Sequence, residues 1–495
     1  MTTGREQALS APAFVDLMDR ARVRRLGLLV AVLTAALAYA NALQNGFVLD
    51  DGAIVLRNPL VTSPETSWRA FFLPYWPEPF GGGQYRPLGI VSLALDWLVS
   101  GGDPRWFHLV NVLWHVAATA AVWMLAAELL APVAAIVAAL VFAVHPVHVE
   151  AVANTVGRLE PMAAVFVIVA LLAHRHRSRV AAGWFALGLL SKESAIVFLA
   201  LAVANDLLLE RDWRAALRTR RNWYAGYAAV LIAYAILLVA VFHDRSLANP
   251  ARALAGATTG ERLAMAMQVI PHYVRLLLAP AELSASYAPM VIAPQPWSSL
   301  SVLTGMMVAL IAATAIGVVV ARRRWPVLAF ALLWIPIALA PVSNVFFTSG
   351  VVLAERTLYL ASVGICLAAG ALAERFLIER AGWVTVATCS IVLSFAVRTW
   401  TRTPVWRDDR TYVTTLLDEH PESYEGHLVY GRVLKMANQF DEADRELTKA
   451  RRLFGRDPVV YYEAADLAAR QGRPNAAAAL LDSAKRARRF PVVAR

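Results

Sequence analysis

The sequence predicts an all-α fold that crosses a membrane many times, and three observations predict it. Of 495 residues, 58% are hydrophobic and 17% charged, where a soluble domain carries about 45–50% apolar and about 25% charged residues. The mean hydropathy is +0.52. Apolar runs of bilayer length recur along the chain with short basic clusters beside them, as expected of helices with positively charged cytoplasmic loops. The net charge of +11 falls in those clusters and not in one long stripe, which excludes nucleic acid as the natural partner. Cys366 and Cys389 both sit inside apolar runs, as small buried hydrophobes with no disulfide framework or metal motif.

The first apolar run, Leu26 to Leu43, follows Arg22, Arg24 and Arg25 and so has a signal-like start, with Ala38-Tyr39-Ala40 resembling a cleavage site. It reads as a retained anchor, because it exceeds a usual signal core and membrane-embedded sequence follows. A polar loop from about Gln44 to Arg105 comes next, carrying Trp68, Pro74, Tyr75, Trp76 and Pro77. Such aromatics settle at headgroup level and hold a loop on the membrane. Tyr85 to Val99 reads as an amphipathic or re-entrant helix, because Asp96 disfavours a free crossing.

Basic clusters at Arg22 to Arg25, His174 to Arg179, Arg211 to Arg221, Arg322 to Arg324 and Arg375 to Arg380 are expected on the cytoplasmic side. Successive clusters must then be an even number of crossings apart. This gives about eleven spans, near 26–43, 107–128, 131–145, 161–173, 180–191, 194–209, 223–242, 298–320, 326–340, 357–374 and 382–399. The N-terminus is expected inside and the C-terminus outside. Between Arg179 and Arg211 two helices of about 22 Å each are too short for the hydrocarbon core. The Ser191-Lys192-Glu193-Ser194 turn is therefore expected to be sunk and buried in protein or water.

After Arg398 the chain is charged, Ala-rich and periodic: Ala443, Leu447 and Ala450 recur as Ala477, Leu481 and Ala484, 34 residues on, with Gly431 matched by Ala465. That is the tetratricopeptide (TPR) period. Trp406 to Glu419 reads as a lone helix before two such repeats, and so short an array is expected to lean on the membrane domain. A plain helical hairpin pair is the alternative. The domains expected are a membrane domain over 1–400, with its first outer loop at 44–106, and a TPR-like helical domain over 401–495.

Chemistry concentrates on the expected outer side. Asp50 and Asp51 follow the first span directly; adjacent carboxylates repel and are tolerated where they are solvated, metal-bound or used, although Asp-Asp-Gly is also ordinary turn chemistry. His145, His148 and Glu150 lie within six residues. Pro146 between them breaks helical spacing, so capping or substrate contact is favoured over a metal. Lys192 and Glu193 form an expected pair at membrane depth, a functional site or a staple of a short hairpin. Arg86, Arg158, Arg275 and Arg356 stand beside outer span ends. Singly each suits a snorkelling side chain; together, against the charge rule, they suggest a phosphate-bearing ligand. Carboxylates and cations on this side suit transfer from a lipid-phosphate donor, an acid taking the acceptor proton while cations hold the departing phosphate.

An ordered set of motifs carries a family resemblance: Phe47-Val48-Leu49-Asp50-Asp51, Tyr85-Arg86-Pro87-Leu88, Phe107-His108 through Trp114-His115, Val144-His145-Pro146-Val147-His148-Val149-Glu150 through Asn154, Gly157-Arg158, Ser191-Lys192-Glu193-Ser194, Arg275 through Pro280, and Ala354-Glu355-Arg356-Thr357-Leu358-Tyr359-Leu360. Together they resemble the transmembrane and TPR-repeat-containing O-mannosyltransferases of the GT-C superfamily. The resemblance implies a polyprenyl-phosphate-linked sugar donor, a protein or other hydroxyl acceptor, membrane lipid as surroundings and inverting transfer. It implies Asp51 or Asp50 as the base, with no cofactor required and a divalent cation left open. Arg158, Arg275, Arg356, Arg86 and Lys192 are expected to hold phosphate, with His148 and Glu150 lining the acceptor or ordering the loop, and Glu193 and Glu355 beside them. The short array and the Ala and Arg content look bacterial, which makes the expected location an inner membrane with the C-terminal domain in the periplasm. A lipid or solute transporter, or a membrane-anchored TPR scaffold without catalysis, is the alternative function. The departures from the family, the short array and Leu159-Glu160 after Gly157-Arg158, leave acceptor choice most open.

Overall fold

The computed structural model describes residues 11–77, 83–243, 251–287, 291–346 and 348–487; the ends of the two expected domains, 1–10 and 488–495, lie outside them. Among the described residues there are helices and no strands. In chain order these are α1 (Ala11–Ala38), α2 (Pro59–Thr62), α3 (Pro87–Ser100), α4 (Pro104–Leu129), α5 (Pro132–Ala143), α6 (Val149–Ala153), α7 (Leu159–Arg175), α8 (Ala181–Ser191), α9 (Phe198–Leu209), α10 (Trp213–Thr219) and α11 (Arg221–Val241). They are followed by α12 (Thr259–Leu278), α13 (Leu300–Arg322), α14 (Pro326–Leu339), α15 (Tyr359–Arg402), α16 (Asp409–Glu419), α17 (Tyr424–Met436), α18 (Phe440–Phe454), α19 (Pro458–Arg470) and α20 (Pro474–Ala487). Helices α2 to α5 open on Pro, where its missing N–H leaves no intrahelical bond unmade. Asn58 and Asp103 cap α2 and α4 with their side-chain oxygens.

Among the described residues seven helical stretches are long and apolar enough to cross a membrane: Arg22–Gln44, Pro104–Leu129, Thr155–Arg175, Arg221–Val241, Leu300–Arg322, Glu355–Leu377 and Glu379–Trp406. An eighth is the pair Pro132–Ala143 and Pro146–Ala153, bent by 47°. All eleven expected spans fall on helices, the last two on α15, which kinks at Arg380. Three of them, on α8, α9 and α14, are shorter than a crossing: α8 has 11 residues, α9 12 and α14 14, or about 16, 18 and 21 Å. Eight of the eleven expected spans thus lie on stretches of crossing length, counting the bent pair as one, and three on shorter helices.

One apolar core joins α1, α4, α5, α7, α8, α9, α14 and α15, through buried residues such as Ala35, Val122, Phe142, Leu171, Phe185, Phe198, Trp334 and Leu367. Trp334 keeps its indole N–H satisfied at the Leu360 carbonyl, 2.8 Å away. The outer faces of α11, α13 and the second half of α15 expose Ile232, Ile236, Leu303, Leu310, Val386 and Leu393. Rows of exposed aliphatic side chains on helices of this length suit a lipid environment.

The segment between His243 and Trp297, expected as a loop, contains α12. Thr258 and Glu261 form a reciprocal capping box at its start, and its buried side, including Met265, Val269 and Leu276, builds a second apolar cluster with Val352 and Leu353. Beyond α15, the expected lone helix starts at Asp409, because Asp408 accepts the Thr411 N–H at 2.7 Å as its cap. Helices α17 and α18 pair, as do α19 and α20, with Ala443, Leu447, Ala450, Ala477 and Ala484 buried where the 34-residue period put them. Leu481 is 41% exposed on α20. Tyr412, Leu416 and Val429 belong to the same apolar core as α1 and α5, so this tail packs directly on the helices of the membrane region.

Candidate active site

The acidic turn is anchored from three directions before it reaches its two carboxylates. Asn45 donates to the carbonyls of Ala153 and Thr403 at 3.5 and 3.2 Å. The Gly46 N–H donates to the Arg407 carbonyl at 2.8 Å, and the Gly46 carbonyl meets His108 Nε2 at 3.1 Å. Leu49 then turns left-handed at φ 52° with its N–H on Asp409 Oδ1 at 2.8 Å.

That turn sends the two aspartates into different surroundings. Asp51 is fully buried, and its oxygens accept the N–H groups of Val48 and Val156, each at 3.0 Å. Burial pushes its carboxyl up to about 7, against those hydrogen bonds and with the neighbouring Asp50 adding to the rise. Asp50 is exposed, and among the described residues its side chain takes no hydrogen bond or ion pair. Surrounding protein raises its carboxyl above the ordinary range, while Arg356, the strongest cation acting on it, and Arg252 pull it down and Glu425 and Glu150 push it up. One carboxylate is thus part of the frame and the other is free to react.

The cations gather around this turn, each with a carboxylate of its own. Arg356 sits in the Glu355–Leu358 turn before α15; its guanidinium pairs with Glu150, whose other oxygen accepts the Arg356 backbone N–H at 2.9 Å. About a third of the Arg356 side chain stays exposed (31%). Arg86, just before α3, binds Glu193 through two nitrogens at 2.9 and 2.5 Å and lies over the Tyr75 ring at 5.3 Å. Lys192 is buried and pairs with Glu160. The expected Lys192–Glu193 pair is therefore corrected: neighbours in a turn point apart, and each finds a partner on another element. Of the turn between α8 and α9, Ser191, Lys192 and Ser194 are buried, as the short helices required, while Glu193 is exposed.

Four expected site residues have other work. Arg158 is completely buried, and its guanidinium is filled by Asp96, Ser92 Oγ, Asn111 Oδ1 and the Phe107 carbonyl. Four of its five N–H donors are taken up inside the protein, and they tie α7 to α3 and α4. His148 is buried against Ser362 Oγ at 2.7 Å and packs edge-on or tilted against His115, Phe142 and Tyr359, so it ties α5 to α15. Glu355 accepts the Ser284 N–H at 2.6 Å and the Tyr287 hydroxyl at 2.9 Å, fixing the loop after α12. Arg275 bonds the Glu282 carbonyl and carboxylate at 2.8 and 3.2 Å, within its own loop. Among the described residues no three His, Cys, Asp or Glu converge as a metal site.

Gly157 has a packing reason to be glycine. A Cβ there would lie 2.6 Å from the Glu150 carbonyl and 2.7 Å from that of Ala151. Only glycine lets this turn press on α6 and so places Glu150, Val156 and Arg158 together. Sequence reasoning missed Asp96, Asn111, Glu160, Arg252 and Asp409. A lone Asp in the apolar run of α3 and a lone Arg opening α7 were the available signal for the first. Tyr75, read as an interfacial aromatic, is buried with its hydroxyl left without a hydrogen-bond partner.

Residues 92–241, which include Arg158, Glu150 and Lys192, match the family described as dolichyl-phosphate-mannose-protein mannosyltransferase. A Caenorhabditis elegans protein O-mannosyl-transferase is 26% identical over 82% of this chain and 60% of its own length. Human protein O-mannosyl-transferase TMTC3 is 24% identical over 86% of this chain and 51% of its own, and Drosophila melanogaster Tmtc1 is 27% identical over 83% and 60%. The chain thus spans between 51% and 60% of the length of these three relatives. No solved structure matches it. Over most of its length the chain is similar to the TMTC-type protein O-mannosyltransferases, of the GT-C type.

Proposed function

We propose that this chain is a membrane glycosyltransferase that moves a hexose, mannose or a similar sugar, from a polyprenyl-phosphate donor to a serine or threonine hydroxyl of a protein. The observation that carries the reading is the exposed Asp50 carboxylate, unpaired among the described residues, on which Arg356 is the strongest acting cation. A transferase of this kind needs a free base beside a fixed positive charge, and the similarity to named protein O-mannosyl-transferases supports the class of reaction.

In this reading Asp50 accepts the proton of the acceptor hydroxyl as its oxygen forms a bond to the anomeric carbon. The bond from that carbon to the donor phosphate breaks, the phosphate oxygen keeps the electron pair, and the sugar inverts. Arg356 stabilises the charge on the departing phosphate, with Arg86 and Lys192 adding positive potential from their ion pairs. Asp51 holds the turn. Residues 1–400 form the catalytic membrane domain and 401–495 a TPR-like unit, and the site faces the periplasm of a bacterial inner membrane, with the N-terminus in the cytoplasm. The periodic helices of the tail offer the acceptor polypeptide a surface beside Asp50.

The test is transfer by purified protein from a radiolabelled polyprenyl-phosphate mannose to a Ser/Thr-rich peptide. Release of polyprenyl phosphate together with labelled peptide supports the reading. Donor left intact by well-folded protein, or donor moved across a vesicle membrane without being consumed, contradicts it.

A further inference from the structure

The structure assigns Asp409, on the first turn of α16, as a positioning residue for Asp50, acting through the backbone of Leu49; the assignment rests on Asp50 being the reactive carboxylate. Leu49 is one of five non-glycine residues at positive φ among those described, with Arg177, Arg323, Asn344 and Asn438, and it alone directly precedes a candidate catalytic group. A branched aliphatic residue adopts the left-handed region only at a cost, because its Cβ crowds the following carbonyl. Something must therefore hold it there.

The hold comes from 360 positions away. Asp409 Oδ1 accepts the Leu49 N–H at 2.8 Å, and two residues earlier the Arg407 carbonyl accepts the Gly46 N–H at 2.8 Å. These bonds bracket the turn. Asp408 caps α16 through Thr411, and the Arg402–Glu419 ion pair ties the far end of that helix to α15, so the Asp409 carboxylate is presented from a braced element. On the other side Asp51 is pinned by Val48 and Val156. Between two fixed points, the left-handed φ of Leu49 is what turns Asp50 out while Asp51 turns in. Losing the Asp409 acceptor lets Leu49 relax to a right-handed or extended φ, which rotates Asp50 away from Arg356.

The experiment is kinetic, with a structural arm. Asp409→Ala is expected to lower kcat for sugar transfer at least tenfold while the donor KM stays within about twofold, since the binding cations are untouched. Asp409→Asn keeps an acceptor oxygen and is expected to retain at least half of kcat. Adding Leu49→Gly or Leu49→Asn to Asp409→Ala supplies a residue at ease with positive φ and is expected to recover kcat to within threefold. Hydrogen exchange of the 44–52 segment is expected to rise in Asp409→Ala and to leave Asp409→Asn unchanged. An unchanged kcat in Asp409→Ala, an equal loss in Asp409→Asn, or no recovery with either Leu49 variant overturns the assignment. If wild-type protein transfers no sugar, the functional reading fails, and the exchange measurement alone still decides whether Asp409 holds the turn.

Discussion

Glu150 grips Arg356 twice, accepting its guanidinium on one oxygen and its backbone N–H on the other. A long cation anchored at both ends of its residue has little freedom left, so the charge that acts on Asp50 is held in a fixed place. Replacing Arg356 by Lys keeps the charge but gives up the planar fork. On the scale of losing one oriented charge-stabilising donor, kcat is expected to fall by about 10²–10³. Steady-state transfer with a lipid-sugar donor checks this, and a loss under threefold would remove Arg356 from the chemistry. Glu150→Gln leaves Arg356 loose and is expected to lower kcat less, with a higher donor KM.

Arg158 behaves as a brace, and its variants should look different. Arg158→Ala leaves Asp96 buried without its cation, an uncompensated charge that costs about 3–5 kcal/mol. Thermal unfolding in detergent is expected to show a large drop in midpoint, and added donor should not restore it. Asp96→Asn alone is expected to be milder, because Arg158 retains Asn111, Ser92 and the Phe107 carbonyl. Normal stability in Arg158→Ala would contradict this role.

Two charges near Asp50 give a signed pH test. A base works deprotonated, so activity falls as pH drops through the Asp50 pKa. Protein enclosure raises that pKa, so the acidic limb of kcat/KM should lie above the ordinary carboxylate range. Glu425 pushes the carboxyl up and Arg252 pulls it down. Glu425→Gln is therefore expected to move the limb to lower pH and Arg252→Gln to higher pH. Shifts in the same direction, or none, would show that another group governs the limb.

Gly157→Ala is expected to fail as a packing change in the middle of the site. Its new methyl group would meet two backbone carbonyls, and backbone yields less readily than a flexible side-chain tip. Expression and melting temperature should fall together, and unchanged stability would mean that α6 can move.

Much of this was legible in the chain. Hydropathy located the long helices because a membrane span is a one-dimensional signal. The spacing of the basic clusters also showed that α8 and α9 are short, but nothing marked α14, which is bounded by Pro326 and ends at Leu339, as short. Helix α12 was missed because it is amphipathic and charged, with its start marked only by Thr258 and Glu261. Asp50, Asp51, Glu150 and Arg356 were found by type and place, but their division of labour was not. Whether Arg158 meets phosphate or Asp96, and whether Lys192 meets Glu193 or Glu160, depends on which helices pack together. Asp409 lay furthest out of reach: nothing in a sequence ties a carboxylate on α16 to a backbone N–H 360 positions earlier.

The most direct measurement compares Asp50→Asn with Asp51→Asn in purified protein given radiolabelled polyprenyl-phosphate mannose and a peptide acceptor. The account predicts that Asp50→Asn keeps wild-type stability and donor binding but loses at least a hundredfold in turnover. It predicts that Asp51→Asn, unable to accept both backbone N–H groups, loses about 1–3 kcal/mol of stability and keeps measurable transfer in whatever remains folded. Wild-type turnover in Asp50→Asn would contradict it.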